Sequence, residues 1–404
     1  MRLRAATVFA AAAALAAAMA VGASPAETPG VTPTTVLIGG TVPLSGEAAA
    51  FGSVAAAANA YFEYVNAGGG VHGRTIEYRY YDDAYNPALT VQQTRRLVEQ
   101  DLVLAVFNQV GTANNLAVRD YLNTMGVPQL FSGDGSEALA GNPAKYPWTI
   151  GFLPSFVGEG ATYGRDIAKR YPKAKVAALY ESTELGREML QGLKKGLGKK
   201  GPKLVAHEAY DLAATDVQSQ IVKLRATRAD TLALFTTPKY FVQAIVAINK
   251  LNWKPRIYVA AHSIEPTIMA IAEANAPQLT MGAISVAFLR NPLDPKLAGD
   301  PGMSTYKDVL TRYAPEIRYT DLFNLYGVVI AWVMVETLKL AGPDLTRASL
   351  IKAARSLDTT SNPFLLPGIR IKTGPNDSHA LDHFYLYRYD NVKWAQIAGP
   401  IPAR

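Results

Sequence analysis

Short apolar runs alternate with longer amphipathic stretches along most of the chain, beginning at residue 36. The run VLIGGTV at 36–42 predicts a buried strand, and the apolar residues of 47–67 recur at three- and four-residue steps, as in a helix that packs on a sheet. Residues 74–83 alternate apolar with polar side chains and predict a second strand. A strand, a helix and a strand in this order form the first β-α-β unit of an α/β domain.

The same alternation continues over the next two hundred residues, and glycine, proline and asparagine separate its segments. Helices are predicted at 87–101, 113–125, 158–170, 184–196, 216–226 and 238–251, and strands at 102–107, 128–132, 175–181, 203–209, 231–236 and 256–260. The segments form two β-α series of similar length that are separated near Gly151. Two similar α/β lobes are therefore predicted, although no residue-level repeat is visible.

The pattern changes after residue 282. A strand is predicted at 283–288, three helices at 303–313, 321–340 and 347–356, and two strands at 384–389 and 392–397. Asp390 and Asn391 join the last two strands and favour a two-residue hairpin turn. These segments do not suggest a third domain, and we expect them to be part of the two lobes.

The N-terminus has the pattern of a signal peptide. Residues 1–4 are short and basic, residues 5–22 are apolar and rich in alanine, and small residues near 21–26 suit a cleavage site. We therefore expect a signal peptide at 1–26 and a mature protein that is periplasmic or secreted. A transmembrane anchor is the competing interpretation, but a run of alanines gains little on transfer to lipid and a polar, proline-containing spacer follows.

Composition excludes several other classes. The chain has no cysteine, so neither disulfides, thiolate metal sites nor a lipid-modified N-terminal cysteine is expected. Its net charge of +7 is spread through isolated Lys/Arg pairs without interleaved aromatics, which argues against nucleic-acid binding. No G-x-S-x-G elbow or Walker phosphate loop occurs, and the pair His379 and His383 lacks the glutamate of a zinc-protease motif. We expect neither an enzyme nor a cofactor.

A series of segments carries a family resemblance: IGGTVPLSG, NAGGGVHGRTIEYRYYDD, GVPQLF, YPWTIGFLPS and LYESTELGREMLQGLKKGLG. In their order and spacing they resemble the leucine/isoleucine/valine-binding proteins of ABC importers. The resemblance implies a type I periplasmic-binding fold, with two doubly wound α/β lobes joined by three crossover strands. It places the first lobe at 33–151 and 282–365 and the second at 152–281 and 366–404. It also implies a monomer that captures a branched-chain amino acid or related small carboxylate between the two lobes and delivers it to ABC transporter permease subunits.

The resemblance also implies a ligand site at strand ends. In the family, backbone amides and hydroxyls at strand ends and helix N-termini hold the ligand carboxylate, because these groups carry partial positive charge. The corresponding residues of the first lobe are Phe51 as an aromatic cover, Val110, Gly111 and Thr112, with Thr112 as a hydroxyl donor, and the loop residues Ser132, Asp134, Gly135 and Ser136. Those of the second lobe are Tyr180, Glu181, Leu185, Thr237 and His262.

One position departs from the family pattern. Amino-acid binders place an acid from the second lobe against the ligand ammonium, but this chain has His262 there and no carboxylate before Glu265. Asp134 could replace that acid, or the ligand could be a carboxylate without an ammonium group. Asp134 could instead stabilise its own glycine-flanked turn. A ligand-sensing module of the same fold is the alternative function.

Overall fold

The computed structural model describes residues 28–404, so the predicted signal peptide lies outside the described residues. The strands are β1 Thr35–Val42, β2 Thr75–Asp82, β3 Val106–Phe107, β4 Gln129–Ser132, β5 Thr149–Gly151, β6 Lys175–Glu181, β7 Lys203–Tyr210, β8 Thr231–Phe235, β9 Arg256–Val259, β10 Ile284–Ala287, β11 Asp358–Thr359, β12 Ile371–Lys372, β13 His383–Tyr389 and β14 Trp394–Pro402.

The α-helices are α1 Ser53–Ala67, α2 Pro87–Glu99, α3 Thr112–Thr124, α4 Glu137–Ala140, α5 Phe156–Arg170, α6 Glu184–Leu197, α7 Gln218–Ala226, α8 Pro238–Lys250, α9 Pro266–Asn275, α10 Pro277–Thr280, α11 Pro301–Tyr313, α12 Leu322–Ala341 and α13 Arg347–Ala354. Three short 3-10 helices lie at Ala49–Phe51, Ala261–Ser263 and Pro295–Leu297.

The first lobe is built on a five-stranded parallel sheet in the order β2-β1-β3-β4-β5. The order reverses between β1 and β3, so the loops that follow these two strands diverge to opposite faces. Such a switch point leaves a crevice at the carboxyl ends of the strands. The predicted two-lobe α/β architecture is confirmed.

The second lobe is built on a seven-stranded sheet in the order β14-β13-β10-β9-β8-β6-β7. Five of these strands are parallel, whereas β13 runs antiparallel to β10 and pairs with β14 as a hairpin. Strand β10 lies in this sheet, whereas the family resemblance placed 282–365 in the first lobe. Which sheet a strand joins depends on long-range pairing, which its own residues do not reveal.

The second predicted lobe boundary also differs from the structure. Residues 366–378 stay with the first lobe, because β12 pairs with β11 and the Thr373 hydroxyl donates to the carbonyl of Ala354 at 2.7 Å. The chain crosses between the lobes near Gly151, whose amide donates to the carbonyl of Ser378 at 2.8 Å. It crosses again near Leu289, which bridges to Leu365.

Helix α12 is the central core helix of the first lobe. With 20 residues, the helix is long and apolar enough to cross a membrane. However, 72% of its most apolar 18-residue segment is buried inside the protein. The helix packs against α1 so closely that a Cβ on Gly327 would lie 2.4 Å from the carbonyl oxygen of Val54. Its apolar composition is therefore that of a core element, and its N-terminal turn reaches the crevice between the lobes.

Candidate functional site

A cavity of about 430 Å³ lies between the carboxyl-terminal ends of the two sheets. Both lobes line it, mostly with apolar and aromatic side chains. Among the lining residues are Phe51, Tyr85, Val110, Gly111, Phe323 and Tyr326 from the first lobe, Glu159, Leu185, Thr237, His262 and Glu265 from the second, Phe288 beside a crossover and Trp394 in the terminal hairpin. This size and chemistry are typical of a small-molecule site.

Six of the thirteen predicted site residues line the cavity: Phe51, Val110, Gly111, Leu185, Thr237 and His262. Each follows a strand of one of the two sheets, which is why the topology brings them together. Seven others do not line it: Thr112, Ser132, Asp134, Gly135, Ser136, Tyr180 and Glu181. The direct ligand contact of the first group stays a prediction.

Phe51 lies at the centre of an aromatic cluster that spans the crevice. Its ring centroid is 5.0 Å from that of Phe323 in an edge-to-face arrangement, 6.4 Å from that of Tyr85 and 6.5 Å from that of His262 in the other lobe. Edge-to-face pairs at this spacing are mutually attractive. Phe51 therefore both packs within the first lobe and forms a wall of the cavity.

The hydroxyl of Thr112 is directed at a carboxylate of its own lobe. Thr112 Oγ1 donates to Asp134 Oδ1 at 2.9 Å, and the Ser136 amide and hydroxyl donate to the same carboxylate at 2.9 and 3.1 Å. Burial of Asp134 raises its pKa, and these donors oppose that effect. These bonds fit the alternative in which Asp134 stabilises its own turn, while the roles of Thr112 as ligand donor and Asp134 as ammonium partner stay predictions.

We expect Thr112→Val to lower the free energy of unfolding by about 1–3 kcal/mol, because a buried carboxylate then loses a hydrogen bond. Urea unfolding of the ligand-free protein measures this effect. Thr124→Val, at an exposed position of the same helix, is the matched control and should change little. A variant of unchanged stability that binds ligand more weakly would instead make Thr112 a ligand donor.

Two residues of the second lobe that line the cavity each have a buried polar atom without a hydrogen-bond partner. Thr237 precedes α8 and is 1% exposed, and its Oγ1 has no hydrogen-bond partner among the described residues. Nε2 of His262 likewise has none. Burial lowers the pKa of His262 to about 4, so the ring is neutral at pH 7. Both side chains can hydrogen-bond a ligand without adding charge.

Two predicted residues of β6 do not line the cavity. The Tyr180 ring packs beside His207 of β7, with ring centroids 5.9 Å apart. The Glu181 carboxylate is buried and accepts from the Thr183 hydroxyl at 2.6 Å. Its burial raises the pKa to about 7. Leu185, four residues after Glu181 and at the start of α6, is the residue of this segment that lines the cavity.

Sequence reasoning missed two carboxylates that line the cavity. Glu159 Oε1 accepts from the Tyr163 hydroxyl at 2.7 Å and from the Ala261 amide at 2.8 Å, and burial raises the pKa of Glu159 to about 7. Glu265 caps α9 through Oε2, while its Oε1 is buried without a partner among the described residues. A polar residue on the buried face of the predicted helix at 158–170 was the available signal for Glu159.

The lobes touch each other around the cavity. Lys239, at the start of α8, forms an ion pair with Glu47 in the loop after β1. Glu188 of α6 accepts from the backbone amides of Glu137 and Ala138 in α4 at 2.8 and 2.9 Å. These contacts join the two lobes.

The geometry agrees with the comparison to known proteins. The sequence pattern of a family described as periplasmic binding protein matches residues 35–393. The chain spans about half the length of several curated relatives that it matches. It covers more of the Leu/Ile/Val-binding protein homolog 7 of Brucella abortus, at 24% identity over 342 residues and 80% of each chain.

Two solved structures have the same fold. One is a branched-chain amino acid ABC transporter protein from Thermus thermophilus with bound valine, with a TM-score of 0.80, 15% identity and coverage of 91% of this chain and 96% of that one. The other is a solute-binding protein of an ABC transporter from Rhodopseudomonas palustris in complex with benzoate, with a TM-score of 0.76, 18% identity and coverage of 91% and 97%. The chain therefore belongs to the periplasmic binding protein family, with the type I fold of the leucine/isoleucine/valine-binding proteins.

Proposed function

We propose that the protein binds a small organic carboxylate, such as a branched-chain amino acid or a related acid, outside the cytoplasmic membrane and delivers it to the permease subunits of an ABC importer. The observation that carries the proposal is the apolar cavity between the two lobes, lined by Thr237 and His262, whose Oγ1 and Nε2 are buried without a hydrogen-bond partner among the described residues. Buried polar groups are usually paired, so these two are suited to a polar ligand.

Two helix N-termini provide the anchor for a carboxylate. Gly111 directly precedes α3 and Thr237 directly precedes α8, and both residues line the cavity. The first amides of a helix have no intrahelical acceptor and favour an anion. In α8 these amides begin at Lys239, because Pro238 has no N–H and the Thr237 amide already donates to the Tyr210 hydroxyl. We expect the ligand carboxylate to accept from these amides and from Thr237, while its apolar part packs against Phe51 and Leu185.

The cavity also has acids for a ligand amino group. Glu159 and Glu265 both line it, and neither forms an ion pair with another described residue. A ligand ammonium beside either carboxylate would compensate a buried charge. An amino acid is thus accommodated without the participation of Asp134. A carboxylate without an amino group would leave both glutamates without an ion-pair partner.

Matched ligand pairs test the proposal directly. We expect thermal unfolding to shift upward with leucine or with its deaminated analogue 4-methylpentanoate, and likewise with phenylalanine or 3-phenylpropanoate. A ligand at a hundred times its Kd stabilises the folded protein by about 2.7 kcal/mol. Calorimetry with the better member of each pair then shows whether the amino group contributes to affinity.

Variants of the site complete the test. Thr237→Val removes the unpaired hydroxyl and should weaken every carboxylate about tenfold. Val222→Ser, at a residue that is 46% exposed on α7 and outside the cavity, should leave binding unchanged. If no carboxylate of either pair shifts the unfolding temperature, the proposed function is wrong.

A further inference from the structure

One asparagine side chain holds the loop that carries Val110 and Gly111. Asn115 lies in the first turn of α3 and is fully buried. Its Nδ2 donates to the carbonyl of Gln109 at 3.0 Å and to the carbonyl of Gly111 at 2.8 Å. These carbonyls belong to the residues on either side of Val110, which lines the cavity. The two N–H groups of one side chain therefore constrain the loop both before and after Val110.

The carbonyl of Gln109 decides where the next amide points. It accepts from the Gly133 amide at 2.8 Å as well as from Asn115, so it is directed to the β4 side of the sheet. The peptide bond is trans, and its N–H points opposite to its C=O. The Val110 amide is therefore directed to the β1 side, where the strand order reverses and the crevice lies. It donates to no acceptor among residues 28–404.

Gly111 permits this loop conformation but does not enforce it. Its φ is 101°, in a region that glycine adopts readily and other residues rarely adopt. A Cβ at this position would also lie 2.5 Å from the Tyr85 ring. Because glycine has many other conformations available, the loop needs a constraint from outside to keep its amides in one orientation. The Asn115 side chain provides that constraint.

Asn115 is itself held by a second buried amide. Its Oδ1 accepts from Nε2 of Gln129 at 3.0 Å, and Oε1 of Gln129 accepts from the Thr149 hydroxyl at 3.1 Å. Gln129 lies on β4 and Thr149 on β5, so the constraint on the loop extends back to two strands of the sheet. Buried polar networks whose members are all paired are rigid. The orientation of the loop is thus fixed before any ligand arrives.

We propose that Asn115 is a positioning residue, which holds the loop at 109–111 so that the Val110 amide is preset to donate to the ligand carboxylate. The inference rests on the proposed function, because it requires a carboxylate beside the N-terminus of α3. It goes further by naming a donor and the residue that orients it. A preset donor strengthens binding, because no free energy is spent on ordering the loop when the ligand binds.

Amide NMR of the unmodified protein tests the donor. In protein labelled with 15N-valine, we expect 4-methylpentanoate to shift the Val110 amide proton downfield, because the amide gains a hydrogen bond to a charged acceptor. Val118, on α3 and outside the cavity, is the internal reference and its signal should stay in place. If the acid binds while the Val110 signal does not move, the inference is wrong and the proposed function stands.

Two variants test the constraint on the loop. Asn115→Leu has a similar volume and no N–H, so the Kd of 4-methylpentanoate should rise about tenfold to a hundredfold and the Val110 shift should shrink. Asn66→Leu is the matched control. The Asn66 amide pairs with the backbone of Ile76 at 2.8 and 2.9 Å outside the cavity, so its loss should lower the unfolding temperature without changing the Kd.

The outcomes separate the inference from the proposed function. An Asn115→Leu protein that folds and binds 4-methylpentanoate with the wild-type Kd would overturn the positioning role alone. If that variant does not fold, the Val110 shift in the wild-type protein decides. If the wild-type protein binds neither 4-methylpentanoate nor 3-phenylpropanoate, the inference and the proposed function are both wrong.

Discussion

At about pH 8 the Glu159→Gln variant should unfold at a higher temperature than the wild-type protein, whereas at about pH 5 the two should unfold nearly together. Burial raises the pKa of Glu159 from 4.5 to about 7. The raised pKa means that the folded state binds this proton more tightly than the unfolded chain does. The resulting stability is fully present below the unfolded pKa and is lost as the pH rises through 7.

The difference in stability between the wild-type protein and the Glu159→Gln variant follows from the size of the pKa shift of Glu159. A change of this size corresponds to about 3 kcal/mol, as an order of magnitude. Glutamine resembles the protonated acid and still offers an oxygen to the Tyr163 hydroxyl and the Ala261 amide, so the variant keeps its stability above pH 7. Burial also raises the pKa of Glu188 to about 7, and the wild-type protein should therefore be more stable in mild acid than in mild base.

Calorimetric unfolding across this pH range measures the effect on the ligand-free protein. Glu77→Gln, at an exposed position on β2, is the matched control and should show the wild-type pH profile. If Glu159→Gln has the wild-type profile as well, the Glu159 carboxylate is solvated rather than buried in the folded state. Binding provides a second readout, because the variant should weaken an amino acid more than the deaminated acid if Glu159 faces the ligand ammonium.

Local signals in the sequence predicted the elements of both lobes closely. Strand β6 was predicted at 175–181 and is Lys175–Glu181, and helix α8 was predicted at 238–251 and is Pro238–Lys250. In both cases the apolar residues recur at the period of the element. For α8, Thr237 and Pro238 also mark the start of the helix. Such signals need no information from the rest of the chain.

Errors occurred where long-range contacts decide the structure. The strand predicted at 102–107 shortens to Val106–Phe107, and a short helix at Glu137–Ala140 lies between β4 and β5, where no element was predicted. The two-residue hairpin turn is shifted by one residue from its predicted place, because the Asp390 amide donates to the carbonyl of Lys393 and leaves Asn391 and Val392 as the turn residues. Pairing between distant strands and the packing of loops on the other lobe determine these details.

The site was predictable in position but not in its polar contacts. Strand order places Gly111 and Thr237 at facing sheet edges, and a fold-level resemblance is enough to predict that. The bond between Thr112 and Asp134 depends on side chains 22 residues apart, and sequence spacing does not reveal which polar groups already satisfy each other. Phe323 lies on α12, far along the chain from the other site residues of the first lobe, and it was missed for that reason.

Glu188→Ala should weaken ligand binding by about tenfold to a hundredfold, because it removes a contact that joins the lobes in the closed arrangement. The Glu188 carboxylate accepts from two backbone amides of α4 across the crevice. Without it, both amides lose their acceptor in a partly buried position, at a cost of about 2–4 kcal/mol for the closed form. Glu188→Gln keeps one acceptor oxygen and should have an intermediate effect.

Calorimetry with a bound carboxylate, together with small-angle scattering of the ligand-free and ligand-bound protein, separates closure from general stability. Glu184→Ala is the matched control, because Glu184 lies on the same helix and pairs only with Arg187 at 2.8 Å on the surface. A Glu188→Ala variant that unfolds earlier but binds as tightly as the wild-type protein would show that the contact persists when the lobes separate. The contact would then belong to the crossover region, and the ion pair between Glu47 and Lys239 would remain as the contact that responds to the ligand.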